Sequence, residues 1–114
     1  NLWVMNFGGN AIYKLTPADL TPAGATKEVV PSVSIAIVVS ALLESMAFDE
    51  SGGLWLTYTS STIARLAPDQ LTTSSTPGSE ANPSTVVSSA DLGAAKGLAF
   101  FPAPAALPLY SRFE

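Results

Sequence analysis

The sequence predicts an all-β protein built from a repeated unit of four short antiparallel strands. Three observations lead to this fold class: short runs of β-branched and aromatic residues, glycine-containing turns between those runs, and a repeat of about fifty residues that carries both. A chain of 114 residues is long enough for one modest core. We therefore treat residues 1–114 as a single unit.

The composition excludes several classes of function. Charged residues make up 12% of the chain and the net charge is −4, so no basic surface is expected and nucleic acid is not an expected partner. The chain contains no Cys and no His, which excludes disulfides, Ser-His-Asp and Cys-His catalysis, and thiolate or imidazole metal sites. The longest apolar run, 35–39, is far shorter than a membrane span.

The repeat is visible when the sequence is shifted along itself. A shift of 52 residues places Leu-Trp-Val at 2–4 over Leu-Trp-Leu at 54–56, and a shift of 51 places Ile12 over Ile63. A turn that is one residue shorter in the second copy explains the change. A shift of 52 then places Met-Ala-Phe at 46–48 over Leu-Ala-Phe at 98–100. The chain thus divides into approximate repeats 1–52 and 53–101, followed by a tail or extra strand at 102–114.

Turn residues and apolar runs define the strands within a repeat. The segment 49–53, Asp-Glu-Ser-Gly-Gly, has the composition of a turn, and Phe-Gly-Gly-Asn at 7–10 forms a turn in the first copy. The predicted strands of one complete set are 33–39, 46–48, 54–59 and 62–66. The connectors hold at most one turn of helix, near Pro17 and Pro68, and the polar tract 72–79 is expected to be a solvated, mobile loop.

Four antiparallel strands per fifty residues, apolar on both sheet faces, are typical of β-propeller blades. The segment 48–56, Phe-Asp-Glu-Ser-Gly-Gly-Leu-Trp-Leu, with 63–71 after it, resembles the repeats of bacterial NHL-type β-propellers, whose core reads Phe-Asp-x-x-Gly-Asn-Leu-Trp-Val. The resemblance implies the fold, a bacterial origin and a secreted or periplasmic location. It leaves function open, because such propellers include binding scaffolds, lyases and lactone hydrolases. It weakens over 97–110, where Phe101 replaces Asp49.

Counting strands gives two blades per chain, circularly offset. In blade order, from the innermost strand a to the outermost strand d, the chain runs b-c-d-a-b-c-d-a, with a further strand predicted at 106–113. Two blades cannot close a propeller, which needs four to eight. We expect self-association into a ring of three or four copies, in which 98–100 of one copy completes the sheet that begins at Leu2 of a neighbour. The alternatives are a piece of a longer chain and a monomer with an open sheet.

Candidate binding residues cluster where the innermost strands begin and end, at the mouth of the channel. Glu44 and Lys96 occupy equivalent places in the two repeats, and Asp49, Asn6 and Tyr58 lie near the same rim. Each has a structural alternative: an ion pair or solvated rim for Glu44 and Lys96, a hairpin cap for Asp49, and cross-strand packing for Tyr58. Asp49 with Glu44 or Asn6 offers oxygen ligands to a cation such as calcium, but no matching cluster is found, so no metal and no cofactor are expected.

Other side chains are expected to be structural. Trp3 and Trp55 occupy equivalent places and are expected to pack between blades, whereas Lys14 and Arg65 are expected to point outward or along the gap between blades. No nucleophile has a positioned base, so no catalytic residue is predicted. The sequence favours a non-catalytic propeller scaffold or binding module of unspecified ligand. The alternative is an NHL-like hydrolase or lyase, of the lactonase type, whose carboxylates converge in the channel.

Overall fold

The protein is all-β, as predicted, and forms two antiparallel sheets. The computed structural model describes residues 1–21, 24, 26–38, 40–41, 43–93 and 95–101. The first sheet has the order β1-β2-β3, with β1 at Leu2–Asn6, β2 at Ala11–Leu15 and β3 at Val33–Ala36. The second has the order β4-β5-β6-β7, with β4 at Met46–Phe48, β5 at Leu54–Thr57, β6 at Thr62–Leu66 and β7 at Thr85–Ser88.

Helix is confined to two short segments of the described chain. The 3₁₀ helix Pro68–Thr72 starts with proline at its first position, which suits a residue without an N–H donor. A second 3₁₀ turn spans Ala90–Leu92. No helix within the described residues is long and apolar enough to cross a membrane.

Three predicted strands differ from the structure. The strand predicted at 33–39 ends at Ala36, with Val39 outside the described residues, and the strand predicted at 54–59 ends at Thr57. The innermost strand that ends the predicted b-c-d-a-b-c-d-a order, at 97–101, is not a strand in the structure, because no chain segment among the described residues pairs with it. The predicted strand at 106–113 and the rest of 102–114 lie outside the described residues.

The two sheets pack face to face over one core. From the first sheet and the connector after it, Ile12, Ile35 and Leu43 are buried, and they meet residues from β5 and β6. Leu54 and Leu56 are completely buried between the sheets, and Leu66 lies beside them. Burial of this apolar surface stabilises both sheets at once, at about 25 cal/mol per Å². Neither sheet could be removed without exposing the core face of the other.

The two hairpins share one register. In the first, Leu2 pairs with Leu15 and Trp3 pairs with Lys14. In the second, Leu54 pairs with Leu66, and Trp55 pairs with Arg65. Equivalent residues of the first strand are 52 apart and those of the second strand 51 apart, because the turn of the second hairpin is one residue shorter.

The polar tract 72–79, predicted to be a solvated, mobile loop, is largely exposed, and together with Ala81 it also covers the open edge of β3. The Ser75 N–H donates to Ser34 O at 2.9 Å, and the Ala81 N–H donates to Ala36 O at 2.9 Å. The Ser75 hydroxyl accepts from the Ala36 N–H at 2.9 Å. The exposure of the tract agrees with the prediction, whereas its hydrogen bonds to β3 were not predicted; they form because serine hydroxyls and free backbone groups can replace a missing strand. An edge covered in this way is protected from pairing with another chain.

Thr57 is the buried polar side chain that fixes the entrance to β4. Its Oγ1 accepts hydrogen bonds from the backbone N–H groups of Glu44 at 2.9 Å and Ser45 at 3.2 Å. The Thr57 N–H donates in return to Ser45 O at 3.1 Å. Only 2% of Thr57 is exposed, so water is a poor substitute for these partners.

Replacing Thr57 by Val should lower the free energy of unfolding by about 1–3 kcal/mol, because two part-buried N–H groups lose their acceptor while the side-chain shape is kept. Thr57→Ser is the matched control, since it keeps the hydroxyl and removes only the methyl group. Urea denaturation of the three proteins measures the difference. A Val variant more stable than the Ser variant would contradict this role of the hydroxyl.

Candidate functional site

Asp49 is the centre of the densest polar network in the described residues. Its Oδ1 accepts from the N–H groups of Ser51 at 3.0 Å and Gly53 at 2.9 Å. Its Oδ2 accepts from Arg65 Nε at 2.6 Å and from Trp55 Nε1 at 3.0 Å. One carboxylate therefore closes the β4–β5 turn, neutralises the Arg65 side chain and orients an indole ring. This arrangement matches the hairpin-cap alternative for Asp49.

Gly53 makes room for this network. A Cβ at position 53 would collide with the Arg65 guanidinium, so any other residue here displaces the arginine from Asp49. The hydrogen bond from Arg65, helped by those from the Gly53 N–H and the Trp55 indole, holds the pKa of Asp49 well below its usual range. The same contact raises the pKa of Arg65. Both groups therefore stay charged at neutral pH.

The other predicted site residues have separate positions. The Asn6 side chain accepts from the Gly9 N–H at 3.0 Å and so caps its own turn. Tyr58 is half-buried against the core. Glu44 and Lys96 are exposed, and the backbone of Glu44 is held by Thr57. Within the described ranges, no group of three or more acidic residues is close enough to hold a metal ion.

Lys14 and Arg65, which the sequence predicts to point outward or along the gap between blades, lie opposite the two equivalent tryptophans across the strands. Lys14 Nζ lies 5.9 Å from the centroid of the Trp3 ring, on the face that a cation prefers. Arg65 pairs across the strands with Trp55 and bridges to Asp49. The repeat alignment was the signal that could have revealed these contacts, because it places both cations opposite tryptophans.

An apolar hollow of about 190 Å³ lies on the outer face of the second sheet. Trp55 and Ile63 form its floor, and Leu98, Ala99 and Phe100 form its wall. The wall segment is tied to the sheet by a hydrogen bond of 3.0 Å from the Leu98 N–H to the Ser45 hydroxyl. Apolar residues around an open hollow favour an apolar occupant.

The hollow has a filled counterpart between the two sheets. There, Trp3 packs edge-to-face on Phe48, with ring centroids 5.8 Å apart and planes at 62°. Trp55 and Phe100 each lie 52 positions after Trp3 and Phe48, and they line the hollow together. The two tryptophans thus face equivalent aromatic residues, one within the core and one at the open face.

Several backbone hydrogen bonds also recur at the repeat offset. The N–H and hydroxyl of Ser32 donate to Lys14 O at 3.0 and 3.3 Å, and those of Ser84 donate to Arg65 O at 2.9 and 3.1 Å. The Ile37 N–H donates to Asn10 O at 2.8 Å, and at the equivalent place the Ser89 N–H donates to Ser61 O at 3.0 Å. The Thr16 N–H donates to Asp19 Oδ2 at 2.7 Å, and its counterpart, the Ala67 N–H, donates to Gln70 Oε1 at 2.8 Å.

Comparisons with known proteins add no relative to this description. No protein-family model, no curated protein and no solved structure matches the chain.

Asp49→Asn should destabilise the fold in a pH-dependent way. The pKa of Asp49 is depressed in the folded state, so its charge stabilises the fold fully above the unfolded value of about 3.9, and this contribution declines as the pH falls from that value toward the lower folded-state pKa. The stability difference between wild type and Asp49→Asn should thus be larger at about pH 7 than at about pH 3. Urea midpoints at both pH values measure it.

Asp91→Asn serves as the control for that experiment, because Asp91 is an exposed carboxylate in a 3₁₀ turn. Its midpoint should follow the wild type at both pH values. An Asp49→Asn difference that is constant with pH would show that the charge of Asp49 does not stabilise the turn.

Proposed function

We propose that the chain is a non-catalytic scaffold or binding module of the β-propeller type, in which each sheet is a blade and three or four copies close into a ring. The recurrence of the hydrogen bonds at Ser32 and Ser84 carries this proposal, because it repeats the same sheet geometry twice in succession. Units that repeat in this way stack by burying one another's faces. A ring is the arrangement that leaves no face open.

The candidate site residues favour a scaffold over a catalyst. Asp49, which the sequence offered as an oxygen ligand for a cation, is already engaged with Arg65, Trp55 and its own turn. A carboxylate with a depressed pKa and a bound arginine is a poor general base at neutral pH. Its role in the proposal is to hold the blade together.

Binding in such a ring would fall to the charged residues at the start of the innermost strands. Glu44 precedes β4, and Lys96 precedes the wall segment at the equivalent place; both are exposed. Repeated around a ring, they would alternate a carboxylate with an ammonium group at the channel mouth. This distribution suits a ligand that carries both charges or a dipole, and an ion pair between the two groups would be weak at a solvated rim.

The native mass in solution tests the ring. We expect about three or four times the chain mass of 11.8 kDa, measured by native mass spectrometry or light scattering. Phe100→Asp should dissociate the assembly, because a carboxylate buried without a partner at the junction is costly. Phe101→Asp is the matched control, since Phe101 is 99% exposed and should tolerate the charge. A folded wild-type monomer would refute the ring.

A lactone-opening assay tests the non-catalytic part of the proposal. The purified protein should show no bound divalent metal and no lactone opening above background, with or without a chelator. Chelator-sensitive hydrolysis that is lost in Asp49→Asn but kept in Asp91→Asn would instead identify the protein as an NHL-like hydrolase.

A further inference from the structure

Equivalent apolar residues in the two sheets differ sharply in exposure. Leu54 and Leu56 of β5 are completely buried because the first sheet covers them. Leu2 and Val4 hold the same places in β1 and are 45% and 39% exposed. The outer face of the first sheet is therefore a copy of a core surface that lacks its cover.

The outer face of the second sheet also differs in exposure from its equivalent in the first sheet. Trp55 and Ile63 occupy the places that Trp3 and Ile12 hold in the first sheet, where those residues face the second sheet. Among the described residues, the wall segment 98–100 lies over the corresponding face of the second sheet and leaves the hollow open. The outer face of the first sheet resembles the core face of the second, and the outer face of the second resembles the core face of the first. One molecule thus exposes both surfaces of a packing contact that it already makes once between its own sheets.

The pairing of β4 with β5 within the second sheet predicts the register in which strands of two copies would pair. β4 pairs with β5 through Met46↔Leu56, Ala47↔Trp55 and Phe48↔Leu54. The wall segment lies 52 residues after β4, and β1 lies 52 residues before β5. The same pairing applied one repeat further on is Leu98↔Val4, Ala99↔Trp3 and Phe100↔Leu2.

We propose that a second copy of this chain docks head to tail, with its β1 adding to the wall segment in this register and its Leu2 and Val4 filling the hollow over Trp55. This rests on the ring proposed above and specifies its junction. The contact is heterologous, so each copy uses one face as donor and the other as acceptor. Strand addition supplies backbone hydrogen bonds, and the apolar side chains select the partner.

The outer edge of the second sheet supports the same partner. β7 is exposed along its whole length, and Val86 and Val87 are among its exposed residues. Its equivalent β3 is covered by the connector that contains Ser75 and Ala81. A second copy placed head to tail would cover the edge of β7 in the same way.

Cysteine cross-linking tests the register in the full chain, which contains no native cysteine. Val4→Cys and Leu98→Cys proteins are refolded together and oxidised. Paired residues of antiparallel strands have Cα atoms close enough for a disulfide, so a cross-linked dimer should be the main product. Val4→Cys with Ala99→Cys is the matched control, because adjacent residues of a strand point to opposite faces and this pair should give at most a trace.

Each outcome has a defined meaning. Cross-linking of either single variant with itself would indicate a symmetric contact and overturn the head-to-tail arrangement. An assembly of three or four copies without the Val4–Leu98 cross-link would overturn the register and leave the ring proposal standing. A monomeric wild-type mass would overturn both, and an internal disulfide in a monomeric double variant would show that β1 pairs within its own chain.

Discussion

The constraint on which this structure depends is that each sheet carries apolar side chains on both faces, whereas the described residues bury mainly the inner face of each. The shared core around Ile35, Leu54 and Leu56 buries most of the inner faces. The outer faces keep Leu2, Val4 and the Trp55 hollow in contact with solvent. Exposed apolar surface of this kind marks interaction sites in stable proteins, which is why the proposed function is one of assembly.

Polar groups in this chain mainly secure the geometry of the apolar faces. The Asp49 carboxylate joins a turn, an arginine and an indole, and the Thr57 hydroxyl ties the entrance of β4 to β5. Both networks sit beside β5, the central strand of the core. In a chain with so few charged residues, the ion pair between Asp49 and Arg65 holds one tight turn in place.

Much of the fold follows from the sequence, since turn glycines and apolar runs located the strands predicted at 33–39, 46–48, 54–59 and 62–66 to within a few residues. The end of β3 could not be predicted, because Ile37 stays buried after leaving the sheet and apolar content does not distinguish the two situations. The link between Asp49 and Arg65 was also missed. These residues are 16 apart and meet only through the strand register, which no local pattern encodes. The edge cover at Ser75 was missed because polar composition usually indicates a solvated loop.

The stitching of Ser75 and Ala81 onto β3 has a consequence for how the chain comes apart. The segment that follows β6 covers the edge of the first sheet, so the two sheets do not separate at the repeat boundary near residue 52. Loss of the first repeat removes a core face and the strand β4 from the second sheet, and loss of the second repeat removes a core face and the edge cover from the first sheet. The two halves are therefore expected to melt together as one cooperative unit, although the sequence is written as two similar modules.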